Sequence, residues 1–113
     1  TTNPVSATYE TVTIDNIASD WKIKNFSVKN GNMVFFDIRI NKPTSWIVGW
    51  NNNIAKVSLP PKEGRIFNIV DDFKGDSSGM VTISSTGMIN LYQTYGWNSG
   101  DAVDCQGFYY IPQ

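Results

Sequence analysis

Apolar and polar residues alternate along much of this chain with the two-residue period of a β-strand. The clearest example is MVTISSTGMINLY, residues 80–92, in which the alternation continues on both sides of a glycine-containing turn. Such a pattern predicts a β-hairpin. The apolar members of the alternation are Val81, Ile83, Ile89 and Leu91.

The register of this hairpin follows from keeping its apolar residues on one face. A three-residue loop, 85–87, places Ile83 opposite Ile89 and also Val81 opposite Leu91. A two-residue loop would mix apolar and polar residues on each face. We therefore predict the longer loop, with the glycine at its end in the left-handed conformation.

A second hairpin is predicted within WKIKNFSVKNGNMVFFDIRINK, residues 21–42. Asn30-Gly31 is a strong turn signal and is compatible with a two-residue loop. We prefer a three-residue loop, 30–32, because it places more apolar residues on one face. Asn32 would then adopt the left-handed conformation, which asparagine tolerates. The apolar face in this register consists of Phe26, Val28, Val34, Phe36, Ile38 and Ile40.

The rest of the chain consists of short strand-like segments separated by turn residues, and no window has the apolar repeat of a helix. We predict an all-β domain over residues 1–113, an antiparallel β-sandwich of jelly-roll type or a barrel-like fold, with seven to nine strands. Residues 1–7 are interpreted as a lead-in from an upstream segment, and Ile17 is expected to reach the core. Further strands are expected at 9–14, 55–59, 65–70 and 106–111, and polar loops at 51–53, 71–78 and 95–104.

Composition narrows the possible functions. The net charge of the 113 residues is -1, so no basic field exists to attract nucleic acid. No apolar run has the length that a membrane span requires, so we expect no membrane insertion. Cys105 is the single cysteine. It cannot form an intrachain disulfide, and we expect it to be a small buried apolar residue.

The chain lacks histidine, which excludes Ser-His-Asp and Cys-His catalysis and histidine-based metal sites within one chain. Carboxylates occur in two predicted loops, at Asp71, Asp72 and Asp76 and at Asp101 and Asp104. We interpret them as solvated turn residues, although the clustered carboxylate oxygens of the first three could also bind calcium. No glycine-rich phosphate loop is present. We therefore expect no enzyme activity, no cofactor and no metal.

Aromatic and neutral polar residues are concentrated where a saccharide site is plausible. Sugars present apolar C–H faces and many hydroxyls, which suit a flat aromatic ring beside hydrogen-bonding side chains. Trp97 lies in a polar loop and is the predicted stacking platform, whereas Trp46 and Trp50 lie in an apolar segment and are interpreted as core residues. The first-choice site is Trp97, Tyr95, Asn98, Asp101, Asp104, Gln93 and Tyr92; the second choice is Trp46, Trp50, Asn51, Asn52 and Asn53.

The order of these segments resembles a known family. A tryptophan-led strand precedes an Asn-Gly hairpin, and SLPP (58–61), MVTISSTGMINLY (80–92) and GFYYIP (107–112) follow. This order is similar to that in the C-terminal head domain of bacteriophage tail-fibre and baseplate receptor-binding proteins. In that family a Leu-Pro step is followed by a V-x-I-x-x-x-G-x-I hairpin and a closing aromatic strand. The chain departs from the family after the Leu-Pro step, at residues 61–65.

The resemblance implies a homotrimeric β-sandwich head that binds host cell-surface polysaccharide without catalysis. It also implies a location in the virion, outside the cell, beside other phage tail or baseplate proteins. Two alternatives remain open. One is a structural or assembly domain of the same particle without a ligand, and the other is a carbohydrate-binding module of a secreted enzyme.

Overall fold

A computed structural model describes residues 9–71, 77–93 and 102–112. The regular structure of these residues is entirely β, which confirms the predicted class. They form ten strands, more than the seven to nine expected, because two strands are only two residues long and leave no periodic pattern. The strands are β1 (Glu10–Thr11), β2 (Ile14–Asp15), β3 (Lys22–Asn25), β4 (Val28–Asn30), β5 (Met33–Asn41), β6 (Gly49–Val57), β7 (Arg65–Asp71), β8 (Ser77–Ile83), β9 (Met88–Gln93) and β10 (Ala102–Tyr110).

All ten strands belong to one antiparallel sheet. Its order is β1-β4-β5-β10-β7-β8-β9-β6-β2, and β3 pairs with β5 as an extension of β4. The sheet curls around its apolar inner face, so the fold is the barrel-like form of the prediction rather than two separate sheets. The outer face of the sheet is exposed to solvent.

The two ends of the sheet are joined by one short piece of chain, residues 10–15, which we call the closing segment. Its strand β1 pairs with β4, whereas its strand β2 pairs with β6 at the opposite end of the sheet. Between them Val12 is fully buried and donates its backbone N–H to Ser27 O at 3.1 Å. The single strand expected at 9–14 is therefore wrong, since the chain changes edges in its middle.

The hairpin of β8 and β9 has the predicted register. Ile83 lies opposite Ile89 and Val81 opposite Leu91, and all four side chains are buried. Gly87 ends the loop with φ 92°, in the left-handed region.

The hairpin of residues 21–42 differs from both registers considered. Val28 pairs with Phe35, and the loop consists of Gly31 and Asn32. Gly31, not Asn32, takes the positive φ, of 64°, as the first residue of a type II′ turn does. This register turns Phe26 and Val28 to the outer face, so they do not join the buried apolar residues of β5.

Hydrogen bonds of two inward polar side chains explain this register. Asn25 donates its amide to Val12 O in the closing segment, and its Oδ1 accepts the N–H of Ser27. The Ser27 hydroxyl is buried and accepts the N–H of Asp37 at 3.0 Å. These polar groups occupy inner-face positions and leave Phe26 59% exposed.

The core lies against the inner face of the sheet. Phe36 of β5 and Phe67 of β7 stack with ring centroids 5.6 Å apart. Cys105 is buried as expected, and burial raises the pKa of its thiol to about 12. Ile17 is 40% exposed, so the prediction that it reaches the core is wrong.

The final strand is longer than expected and alternates between the two faces. Residues 102–104, predicted to be loop, belong to β10. Tyr109 is buried and donates its hydroxyl to Leu59 O at 2.6 Å, whereas Tyr110 is exposed. Only one of these adjacent tyrosines reaches the core, as the alternation predicts.

Candidate functional site

Trp50 and Tyr92 form an aromatic pair on the outer face of the sheet, in which Trp50 is exposed and Tyr92 is half-buried. They are direct partners across β6 and β9, and their ring centroids lie 5.0 Å apart at an interplanar angle of 53°. Trp50 is 44% exposed, so its interpretation as a core residue is wrong, whereas Trp46 is partly buried against the core. The structure thus joins one residue from each of the two predicted saccharide clusters.

Side-chain hydrogen bonds of Asn51 fix the backbone at Ile47 and Gly49, just before Trp50. Its Oδ1 accepts the Ile47 N–H at 2.8 Å, and its amide group donates to Ile47 O at 2.9 Å and Gly49 O at 3.2 Å. Because Asn51 is only 7% exposed and points inward, its neighbour Trp50 points outward. Asn51 is a positioning residue, and its predicted role as a saccharide contact is wrong.

An irregularity in β6 borders the aromatic pair. The register with β9 shifts between Asn51 and Ala55, and Asn53 has a positive φ of 55°. The N–H of Asn53 is donated to Oδ1 of Asn90 at 2.7 Å. Residues 51–53 are therefore part of a strand, not the predicted loop. Asn52 and Asn53 are exposed beside it.

Asn90 is a residue of this site that the sequence did not identify. Besides accepting from Asn53, it donates its amide to Oγ1 of Thr82 at 3.2 Å. The signal available was its outward position in the predicted hairpin, directly beside Tyr92 on the same face. The outward position of Asn90 indicates a site residue only because β6, which contains Trp50, pairs with β9.

The aromatic pair continues into a row of side chains that crosses four strands. The successive pairings Asn68–Met80, Met80–Tyr92 and Tyr92–Trp50 place these residues side by side on the outer face. Three strand spacings give the row a length of roughly 14 Å. It combines two aromatic rings with a thioether and an amide. Such a surface offers stacking and neutral hydrogen bonds along one line.

Two other predicted contacts lie elsewhere. Gln93 is fully buried on the inner face, so its assignment as a hydroxyl partner is wrong. Asp104 lies on β10, with β7 and β8 between it and β9. Its carboxylate accepts from Arg39 Nε at 2.7 Å and from the Arg39 guanidinium at 3.2 Å. The structure therefore does not bring Asp104 to the Trp50–Tyr92 pair. Tyr95, Trp97, Asn98 and Asp101 lie outside the described residues.

Other kinds of site were sought in the same part of the chain. Among residues 9–71, 77–93 and 102–112, no group of three or more Cys, Asp or Glu side chains is placed to hold a metal ion. The candidate calcium ligands Asp71, Asp72 and Asp76 have side chains outside the described residues. The described residues contain no helix long and apolar enough to cross a membrane.

Comparison with known proteins adds no assignment to this geometry. No protein-family model matches the chain, and a search of curated proteins finds no relative.

Proposed function

We propose that this chain is a non-catalytic saccharide-binding domain that recognises polysaccharide on a host cell surface. The observation that supports the proposal is the Trp50–Tyr92 pair, set in a row of neutral side chains on the outer face. Aromatic rings cover the apolar C–H faces of sugars, and amide and hydroxyl groups bond to sugar hydroxyls.

The fixed geometry of the platform favours binding over a purely packing role. Asn51 anchors the backbone before Trp50, and Asn90 holds the irregular strand beside it. A surface ordered before binding loses less conformational entropy when a ligand is bound. The side chains of the row are also uncharged, so they do not favour an ionic ligand. We therefore place the saccharide across the Trp50–Tyr92 row.

The resemblance to phage receptor-binding heads gives the proposed context. In that context the domain would belong to the tail or baseplate of a virion, outside the cell, in contact with other tail proteins and with copies of itself. A homotrimer would compensate for weak individual sites, because several sites engaged together bind far more strongly than one. A carbohydrate-binding module of a secreted enzyme would use the same platform in another context.

The second candidate function is a structural domain of the same particle without a ligand. It is favoured by a separate group of exposed aromatic side chains, Phe26, Phe35, Phe108 and Tyr110, which suits contact with a protein. The two functions differ in whether the isolated domain binds any saccharide.

A glycan array of bacterial surface saccharides tests the proposal. We expect the wild type to bind a subset of these glycans, and Trp50→Ala to lose that binding. The variant should stay folded, with a melting temperature lowered by no more than several degrees, because an aromatic pair contributes about 0.5–1.5 kcal/mol. The matched control is Ile66→Ala, which removes another outer-face apolar side chain, 65% exposed, and should retain binding.

Two results would contradict this assignment of the site. Full binding by Trp50→Ala, together with loss of binding by Trp97→Ala, would move the platform to the first-choice cluster at residues 92–104. No binding by the wild type to any glycan would favour the assembly domain instead.

A further inference from the structure

Asn30-Gly31, the turn signal between β4 and β5, is also the one Asn-Gly step in the sequence. Asn30 is the last residue of β4 and pairs with Met33, so Gly31 and Asn32 alone form the loop. Gly31 has a φ of 64°, and a Cβ placed on it would meet no atom within 4 Å. The step therefore lies at an open turn on the surface of the protein.

The two groups of an Asn-Gly step that can react with each other are both available here. Asn30 is exposed, and within the described part of the chain its side-chain amide makes no hydrogen bond. The N–H of Gly31 likewise has no acceptor among the described residues. Glycine also has no Cβ to shield its backbone nitrogen. That nitrogen can therefore reach the side-chain carbonyl carbon of Asn30 when the turn opens.

Other asparagines of the chain differ from Asn30 in these respects. Asn52 is also exposed, but the N–H of the next residue, Asn53, is donated to Oδ1 of Asn90 at 2.7 Å. The side-chain amide of Asn25 donates to a backbone carbonyl, and its Oδ1 accepts a backbone N–H. No asparagine except Asn30 precedes a glycine. The sequence and the structure thus distinguish the same residue.

We propose that Asn30 is a site of spontaneous deamidation. The Gly31 nitrogen loses its proton and attacks the side-chain carbonyl carbon of Asn30. The new C–N bond closes a succinimide ring, and the side-chain amide leaves as ammonia after taking up a proton. Water then opens the ring. Cleavage of the new C–N bond gives aspartate, whereas cleavage of the original main-chain bond gives isoaspartate, in which the backbone runs through the former side chain.

The isoaspartate product would alter the fold where the closing segment is attached. It adds a methylene group to the backbone beside a two-residue loop, whose twist has to match that of the flanking strands. β4 is three residues long, and Val28 and Lys29 of this strand pair with β1. A shift of β4 therefore acts directly on residues 10–15. We expect the N–H of Val12, donated to Ser27 O at 3.1 Å, to exchange faster with solvent.

Incubation of the full chain in mildly alkaline buffer, followed by peptide mapping, tests this inference. We expect aspartate and isoaspartate to accumulate at Asn30 before any other asparagine reacts. The rate should rise with pH, because the attacking nitrogen must lose its proton. Labelling by protein isoaspartyl methyltransferase identifies the isoaspartate. Asn30→Gln is the matched control and should stay unmodified over the same time, because its longer side chain would have to close a larger ring.

Conversion of Asn30 in urea but not in the folded protein would overturn the inference, and so would earlier conversion of another asparagine. Hydrogen exchange then tests the structural consequence. Freshly prepared Asn30→Asp adds the same charge without the extra methylene group. Faster exchange of the Val12 N–H in the isoaspartate form than in this variant would support the effect on the closing segment, and equal rates would refute it.

Discussion

Gly107 offers a sharp test of how the core is packed. It lies on the inner face of β10, between Phe36 on β5 and Phe67 on β7. Those two strands are about 10 Å apart, yet the two rings stack at a centroid distance of 5.6 Å because no side chain stands between them. A Cβ on Gly107 would lie 2.3 Å from both Cδ1 and Cε1 of Phe67. Gly107→Ala must therefore displace the Phe67 ring.

The effect of Gly107→Ala on the free energy of unfolding can be estimated in two backgrounds. In the wild type, the added methyl group overpacks the core, and we expect Gly107→Ala to lower the free energy of unfolding by about 1–3 kcal/mol. In a Phe67→Leu background the ring is absent. There the same substitution should be neutral or should stabilise by about 0.5–1 kcal/mol, since alanine loses less backbone entropy than glycine in a strand.

Urea denaturation of the wild type, the two single variants and the double variant measures this coupling. We expect a coupling energy of at least about 1 kcal/mol, within the range found for residues in contact. The m-value should stay constant, so that differences in midpoint report stability. An equal effect of Gly107→Ala in both backgrounds would show that the Phe67 ring is not what requires the glycine, and would refute the proposed packing.

Three further predictions concern single groups. Asn90→Ala should lower the free energy of unfolding by about 0.5–1.5 kcal/mol in urea denaturation, because the Asn53 N–H exchanges a protein acceptor for water; a neutral effect would mean that strand pairing alone holds the irregularity. The pKa of Asp20 is lowered from 3.8, chiefly by a hydrogen bond from the Thr44 hydroxyl. The ionised Asp20 carboxylate therefore stabilises the fold above pH 3.8, and this contribution is lost as the pH falls through the lower folded pKa. The free energy of unfolding of Asp20→Ala should therefore depend less on pH in this acidic range than that of the wild type. Cys105, with its raised pKa, should react with iodoacetamide far more slowly in the native protein than in urea, and equal rates would contradict its burial.

The alternation of apolar and polar residues was sufficient to predict a register where that register depends only on residues within the hairpin. In the β8–β9 hairpin the period-two alternation and the loop glycine favour the same register, and the structure has it. In the hairpin of residues 21–42 the alternation favoured a register that is wrong, because Asn25 and Ser27 occupy inner-face positions. Their partners include Val12 O in the closing segment, which no local pattern in the hairpin reveals.

The candidate site was predictable only in part, for a similar reason. The sequence placed Trp50 and Tyr92 in two separate candidate clusters of aromatic and polar residues. Their contact depends on the pairing of β6 with β9, which brings together residues far apart in sequence. Trp50 was interpreted as core because its segment is apolar, but the inward hydrogen bonds of Asn51 reverse that assignment.

The closing segment has a consequence for the behaviour of the protein at high concentration. Exposed sheet edges are templates on which strands of other molecules can add, and very short edge strands limit this hazard. Here one peptide covers part of both edges, because β1 pairs with Val28 and Lys29 of β4 and β2 pairs with Lys56 and Val57 of β6. Proteolysis or detachment of residues 10–15 would therefore uncover two templates at once, at opposite ends of the sheet. A molecule with two such ends can propagate strand exchange from one molecule to the next, so we expect residues 10–15 to contribute to the resistance of the protein to aggregation.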